Sequence, residues 1–275
     1  MISLNEFLVN KKINNKIEQK YCPKSKNELI DNIYDLLDQG EYDLNCIDTS
    51  NIDNMCGLFL VINIDDYNID ISKWNVSNVK DMNNMFCNCN NFNCDISNWD
   101  VSNVKNMETM FFGCEKFNQD LSNWDVSNVE NMKTMFEDCK NFNQPLNNWN
   151  VGNVKDMERM FRNCENFDQS LNDWNVKNVN TMANMFQGCK EFNQPLNDWN
   201  VSNVKYMDHM FESCEKFDQD LGNWDVSNVE NIMWMFGECK KFNQDISNWN
   251  VNNVERMDSM FYGCTSLKNK PKWYK

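Results

Sequence analysis

From Trp99 to Leu121 the apolar residues stand at Trp99, Val101, Val104, Met107, Met110, Phe111, Cys114, Phe117 and Leu121, and polar residues fill almost every gap. The alternation of Trp99 and Val101 predicts a very short strand with both side chains on one face. From Val104 the apolar steps are three, three, one and three residues, which predicts a helix of about three turns with one buried stripe. Ser102 or Asn103 can cap that helix at its start, and Gly113 suits its end. The stretch from Phe117 to Leu121 returns extended. Pro145 and Pro195 fall in the equivalent stretch of later units, where a missing amide hydrogen does little harm.

This pattern repeats every 25 residues, marked by Trp74, Trp99, Trp124, Trp149, Trp174, Trp199, Trp224 and Trp249. Asn78 to Asn253, Phe86 to Phe261 and Cys89 to Cys264 keep the same register. A worn copy precedes them, from Leu44 through Ile47, Ile52, Met55 and Leu58 to Phe59, which brings the count to nine coils. One coil buries too little apolar surface to offset the ordering of its own backbone. Each must therefore lean on its neighbours, and a period of this length means a stacked array. The expected fold is an α/β repeat: a solenoid with a short parallel strand and a short helix in each coil.

The ends read differently. Leu29, Ile30, Ile33, Leu36 and Leu37 lie at helical spacing, with Ser25 and Glu28 as a capping box and Gly40 as a stop. The expected divisions are a basic segment at 1–23, a capping helix at 24–40, the array at 41–270 and a tail at 271–275. Trp273 and Tyr274 are expected to cover the far end.

Net charge is −15, but the two ends together hold +8 through residues 1–26 and Lys268, Lys270, Lys272 and Lys275, which leaves −23 on the body. Such a body repels phosphate at long range, so nucleic acid is excluded as a partner along the array. No apolar run suits a signal peptide, lipobox or membrane span, and the expected location is intracellular, with a virion or host cell as the alternative. Eight of the thirteen cysteines hold one repeated apolar position, so reduced, buried thiols are expected. The cluster Cys87, Cys89, Cys94 and Cys114 is not read as a metal site, because its members belong to the ladder or point elsewhere.

The frame C-x2-F…[IL]-x2-W-x-V…V-x2-M-x2-M-F-x2-C resembles the BspA-type leucine-rich repeat family. Its 25-residue form, with N-W-[DN]-V-S-N-V and M-F-x2-C at Asn98 to Cys114, is more similar still to a repeat of mycoplasma surface lipoproteins and giant DNA viruses. The resemblance covers about residues 27–267. It implies a right-handed, leucine-rich-repeat-like solenoid used for protein binding or adhesion at a surface.

Two surfaces are candidates for binding. The residue after each tryptophan is always Asn or Asp, including Asn75, Asp100, Asp125 and Asp225, and this polar strip is expected to face outward. The repeat is broken most clearly at Met233 and Trp234, where other coils carry Asp208 and His209 or Asp258 and Ser259. Tyr206 and Tyr262 lie in the adjoining coils, so these five residues with His209 included form a candidate partner patch. His209 is the only histidine, so no Ser-His-Asp arrangement can be assembled, and no phosphate-cradling glycine loop occurs. The sequence thus reads as a non-enzymatic, cofactor-free scaffold for a protein partner, with a structural or surface component of a virion or cell surface as the alternative.

Overall fold

A computed structural model of the chain describes residues 21–275, so most of the basic segment at 1–23 lies outside the described residues. Helix α1, Lys26–Asp38, opens the described part. Ser25 Oγ accepts from Glu28 N–H at 3.2 Å, and the Glu28 carboxylate accepts from Lys24 N–H at 2.8 Å. Gly40, at φ +71, ends the helix by donating to Leu37 O. Leu29, Ile33, Leu36 and Leu37 are buried in one continuous core with the first coil. Polar contacts add to this packing: Lys26 Nζ donates to Cys56 O at 2.8 Å and Tyr34 Oη to Val61 O at 3.2 Å.

Beyond α1 the chain does not form the expected coils of strand plus helix. The first coil holds a single 3-10 turn, Leu44–Cys46, and the four-residue helix α2, Leu58–Val61. From Trp74 onward the described residues form neither helix nor strand, only isolated parallel bridges such as Asn106↔Asn131 and Asn131↔Asp156. The α/β solenoid reading is therefore wrong in its elements, and with it the leucine-rich-repeat likeness.

Each coil is a chain of tight turns. In one unit Trp124 N–H donates to Leu121 O, Val129 to Val126, Met135 to Met132, Cys139 to Phe136 and Phe142 to Cys139, all at 2.9–3.2 Å. Apolar residues fall at the corners, which is why their spacing of about three imitates a helix. Two backbone positions per coil rule the helix out. Thr134 and Asp138, at φ 54 and 62, are left-handed, and so are Thr109 and Gly113, Arg159 and Asn163, and the equivalents in the other regular coils. A helix cannot run through a left-handed residue. These residues instead turn alternate amides toward the next coil: Met132, Thr134, Phe136 and Asp138 donate to Asp156, Glu158, Met160 and Arg162 carbonyls at 2.8–3.1 Å. The backbone is thus satisfied between coils rather than within a helix.

Like side chains sit over like in the interior. Trp149 and Trp174 lie 6.4 Å apart at an interplanar angle of 1°, and Phe136 stacks on Phe111 and Phe161 at 5.5 and 5.7 Å. Each of the eight repeat indoles from Trp74 to Trp249 donates inward to the coil before, as Trp149 does to Leu121 O at 2.9 Å. The fixed asparagines do the same at the surface: Asn153 Nδ2 donates to Ser127 O at 2.7 Å. Trp273 continues the indole ladder on Trp249 at 6.3 Å, and Tyr274 meets Phe261 edge-on at 5.0 Å.

Candidate binding surface

The turn that carries the left-handed pair also carries the break in the repeat. Met233 and Trp234 come just after Asn231, whose Oδ1 accepts Met233 N–H at 3.1 Å. His209 N–H donates to Met233 O at 2.8 Å and Trp234 N–H to Asp258 O at 3.0 Å, so the three coils are laced together under the side chains. Those side chains form a column of rings. His209 and Trp234 lie 6.4 Å apart and nearly parallel, and Trp234 and Tyr262 lie 5.1 Å apart, tilted by 50°. Met233, Trp234 and His209 are half-buried, while Tyr206 and Tyr262 are 42% and 59% exposed.

Gly237 lets the indole lie there. Its column carries side chains in every other coil, among them Glu137, Arg162, Gln187, Glu212 and Tyr262. A Cβ on Gly237 would stand 2.5 Å from Trp234 Cε3. The benzene edge of the indole thus lies against bare backbone, and the ring is held as a platform between its neighbours in the column.

Beside the platform runs a polar ladder. Arg162 Nη1 donates to Glu137 Oε1 at 2.6 Å and Arg162 Nε to Gln187 Oε1 at 2.7 Å. Gln187 in turn donates to Glu212, whose Oε2 lies 2.7 Å from His209 Nδ1. Burial pushes the Glu137 carboxyl up from its ordinary range, against the pull of Arg162.

The Asx strip does different work. Asn75, Asp100, Asp125 and Asp225 each accept, through Oδ1, the amide N–H two residues on, at 3.1, 3.1, 3.0 and 3.1 Å. These are Asx-turns that shape the bend after each tryptophan. The hydroxyls of Ser127 and Ser227, with their amides, hold the Asp125 and Asp225 carboxyls below the usual range. The strip is repeated scaffolding and is separate from the ring column. A shallow groove of about 640 Å³ runs over the asparagine ladder, lined by Asn178, Asn203, Asn228, Asn253, Lys205 and Glu230. Its asparagine amides are engaged, for example Asn228 Nδ2 with Ser202 O at 2.7 Å.

A family model described as "Mycoplasma protein of unknown function, DUF285" matches residues 28–125, 96–190 and 155–274. The chain belongs to this family. No curated protein and no solved structure matches it. The DUF285 match agrees with the mycoplasma-type repeat and carries nothing particular to the BspA type.

Within this DUF285 array the ring column is a local departure and the rest is repetition. The ladder cysteines are part of the repetition: Cys139 Sγ donates to Phe111 O at 3.0 Å, and burial drives its thiol well above the ordinary range. Cys89 and Cys264, less deeply placed, are pushed up to about 12 by the same cause. All thirteen cysteines are unbridged. Among the described residues no three of His, Cys, Asp and Glu converge as metal ligands, and no helix is long and apolar enough to cross a membrane. Sequence reasoning missed Gly237, Glu212 and Arg256. Aligning coils column by column could have found Gly237, since it alone lacks a side chain in that column.

Proposed function

We propose that this DUF285 chain is a non-enzymatic scaffold that binds a protein partner through its outer face around Trp234. The observation that carries this reading is the ring column His209–Trp234–Tyr262, with Trp234 against Gly237, on outer columns that are mostly polar elsewhere. Half-exposed, rigid aromatic rings are the side chains that most often anchor protein interfaces. The interior offers no rival: its rings, thiols and indoles are spent on coil-to-coil packing. A reducing compartment suits the unbridged thiols.

Crosslinking mass spectrometry in the native setting identifies the partner and the contacting face together. Capture should then be lost when Trp234→Ala is combined with Met233→Ala. Unchanged capture by that variant would move the binding face elsewhere.

A further inference from the structure

We propose that the Trp234 platform recognises a cationic side chain, specifically an arginine or lysine presented by a basic segment of the protein partner; this rests on the scaffold reading above and narrows it. The charges beside the rings point that way. In the middle of the array the same outer columns are ion-paired: Lys133 with Glu158 at 2.7 Å, and Arg162 with Glu137 at 2.6 Å. Toward Trp234 that pairing stops. Asp208 and Asp258 flank Met233 in its own column, and Glu238 sits in the next left-handed position, over Gly263. Among the described residues none of these three carboxylates makes an ion pair.

One outer-face cation, Arg256, lies close by, and His209 of the coil before stacks on Trp234 at 6.4 Å. His209 is held edgewise by Glu212, its Nδ1 2.7 Å from Oε2. Arg256 lies at the rim with Nη2 3.1 Å from Met233 Sδ. The surface therefore combines an indole and a phenol with unpaired carboxylates around them. A ring face attracts a cation through its quadrupole, and carboxylates beside it add Coulomb attraction. Arginine suits such a surface because its flat guanidinium stacks on the ring while its edge donates to carboxylates. An anionic or purely apolar partner would leave the three carboxylates to be desolvated without compensation.

The probe is a fluorescein-labelled peptide of alternating glycine and arginine, with a citrulline version as the neutral isostere, titrated by anisotropy against the full chain. The arginine peptide should bind and the citrulline peptide should not. Trp234→Ala should weaken binding by about fivefold, the upper size of an exposed cation–ring contact, while Trp234→Phe should stay within about twofold of the parent. Asp208→Asn with Asp258→Asn should weaken binding more than Asp100→Asn with Asp120→Asn, which removes the same charge from remote turns. Arg256→Gln should tighten it. Equal losses from the two double variants, equal binding of the citrulline peptide, or indifference to Trp234→Ala would overturn the proposal. If partner capture is lost in the Trp234/Met233 variant but arginine and citrulline bind alike, the cation assignment fails and the scaffold reading survives. If capture is unchanged, the scaffold reading at this face fails whatever the peptides do.

Discussion

Trp174 is 2% exposed, stacks between Trp149 and Trp199 at 6.4 and 6.5 Å, and donates from Nε1 to Leu146 O at 2.9 Å. Truncating it removes a large packed ring and one of the two hydrogen bonds that Leu146 O accepts, the other coming from Trp149 N–H. Trp174→Ala should lower stability by roughly 3–5 kcal/mol in equilibrium denaturation, because a coil clamped on both sides cannot collapse into the hole. A loss below about 1 kcal/mol would mean that the indole does not hold the coils together. The burial of these indoles was legible in the sequence, since a bulky residue repeated without variation on a 25-residue period has to face the axis of the stack. The role of the invariant asparagines was not. Asn178 Nδ2 reaches Gly152 O at 2.7 Å in the preceding coil, a contact that depends on how one coil is set over the next and leaves no mark in local spacing.

At the scale of one turn, the left-handed positions decide the architecture. Gly188, at φ +76, lies where a Cβ would run into the Asn163 amide oxygen of the coil before, so Gly188→Ala meets both backbone strain and a clash. The expected loss is about 1–3 kcal/mol. Gly152 is the contrast. It has no positive φ, and its column carries Ser77, Ser102, Ser127, Ser202 and Ser227 in other coils. Gly152→Ser should be neutral or stabilising by up to about 1 kcal/mol, by restricting the unfolded chain. Thermal melts of the two variants test the assignment, and equal losses would mean that the left-handed turn is not what matters at Gly188. The same positions explain why the spacing predicts strand and helix where the chain forms turns. Met-x2-Met-Phe-x2-Cys fits a helical stripe and a run of three-residue turns equally well. The second left-handed column did carry a signal: Asn88, Gly113, Asp138, Asn163, Gly188 and Gly263 are residues that tolerate that conformation. The first carried a weaker one, since Asn84, Asn184 and His209 share it with Thr109, Thr134, Arg159 and Trp234, which are ordinarily poor there and are held by the coil-to-coil amides. The ring column was legible only as a set of positions, and its order as a stack over Gly237 needed the turn geometry.

Across the whole molecule, repetition multiplies a small effect into a large one. Cys114, Cys139, Cys164, Cys189, Cys214 and Cys239 are buried, and burial raises each thiol above its ordinary value of 9.0. In the unfolded chain those thiols ionise from about pH 9, while in the folded chain they stay protonated. A raised folded-state value means the stabilisation is fully present below the unfolded value and is lost as pH rises above it. Each thiol costs about 1 kcal/mol between pH 9 and 10, where the unfolded chain is only partly ionised, and about 1.4 kcal/mol per unit beyond. Six of them therefore remove about 6 kcal/mol between pH 9 and 10. That is comparable with the whole stability of an ordinary domain, so the array should unfold abruptly in mild alkali. Lysine ion pairs act in the same direction but in a later window. Lys205, whose charged form Glu230 favours through a hydrogen bond, stays protonated beyond the ordinary lysine value of 10.5. Urea unfolding under reductant at pH 8, 9 and 10 reads the slope directly. Replacing Cys164 and Cys189 by alanine should remove about a third of it, since two of the six titrating groups are gone. An unchanged slope in that double variant would show that something other than the thiol ladder titrates, and that the interior is open to water where the coils meet.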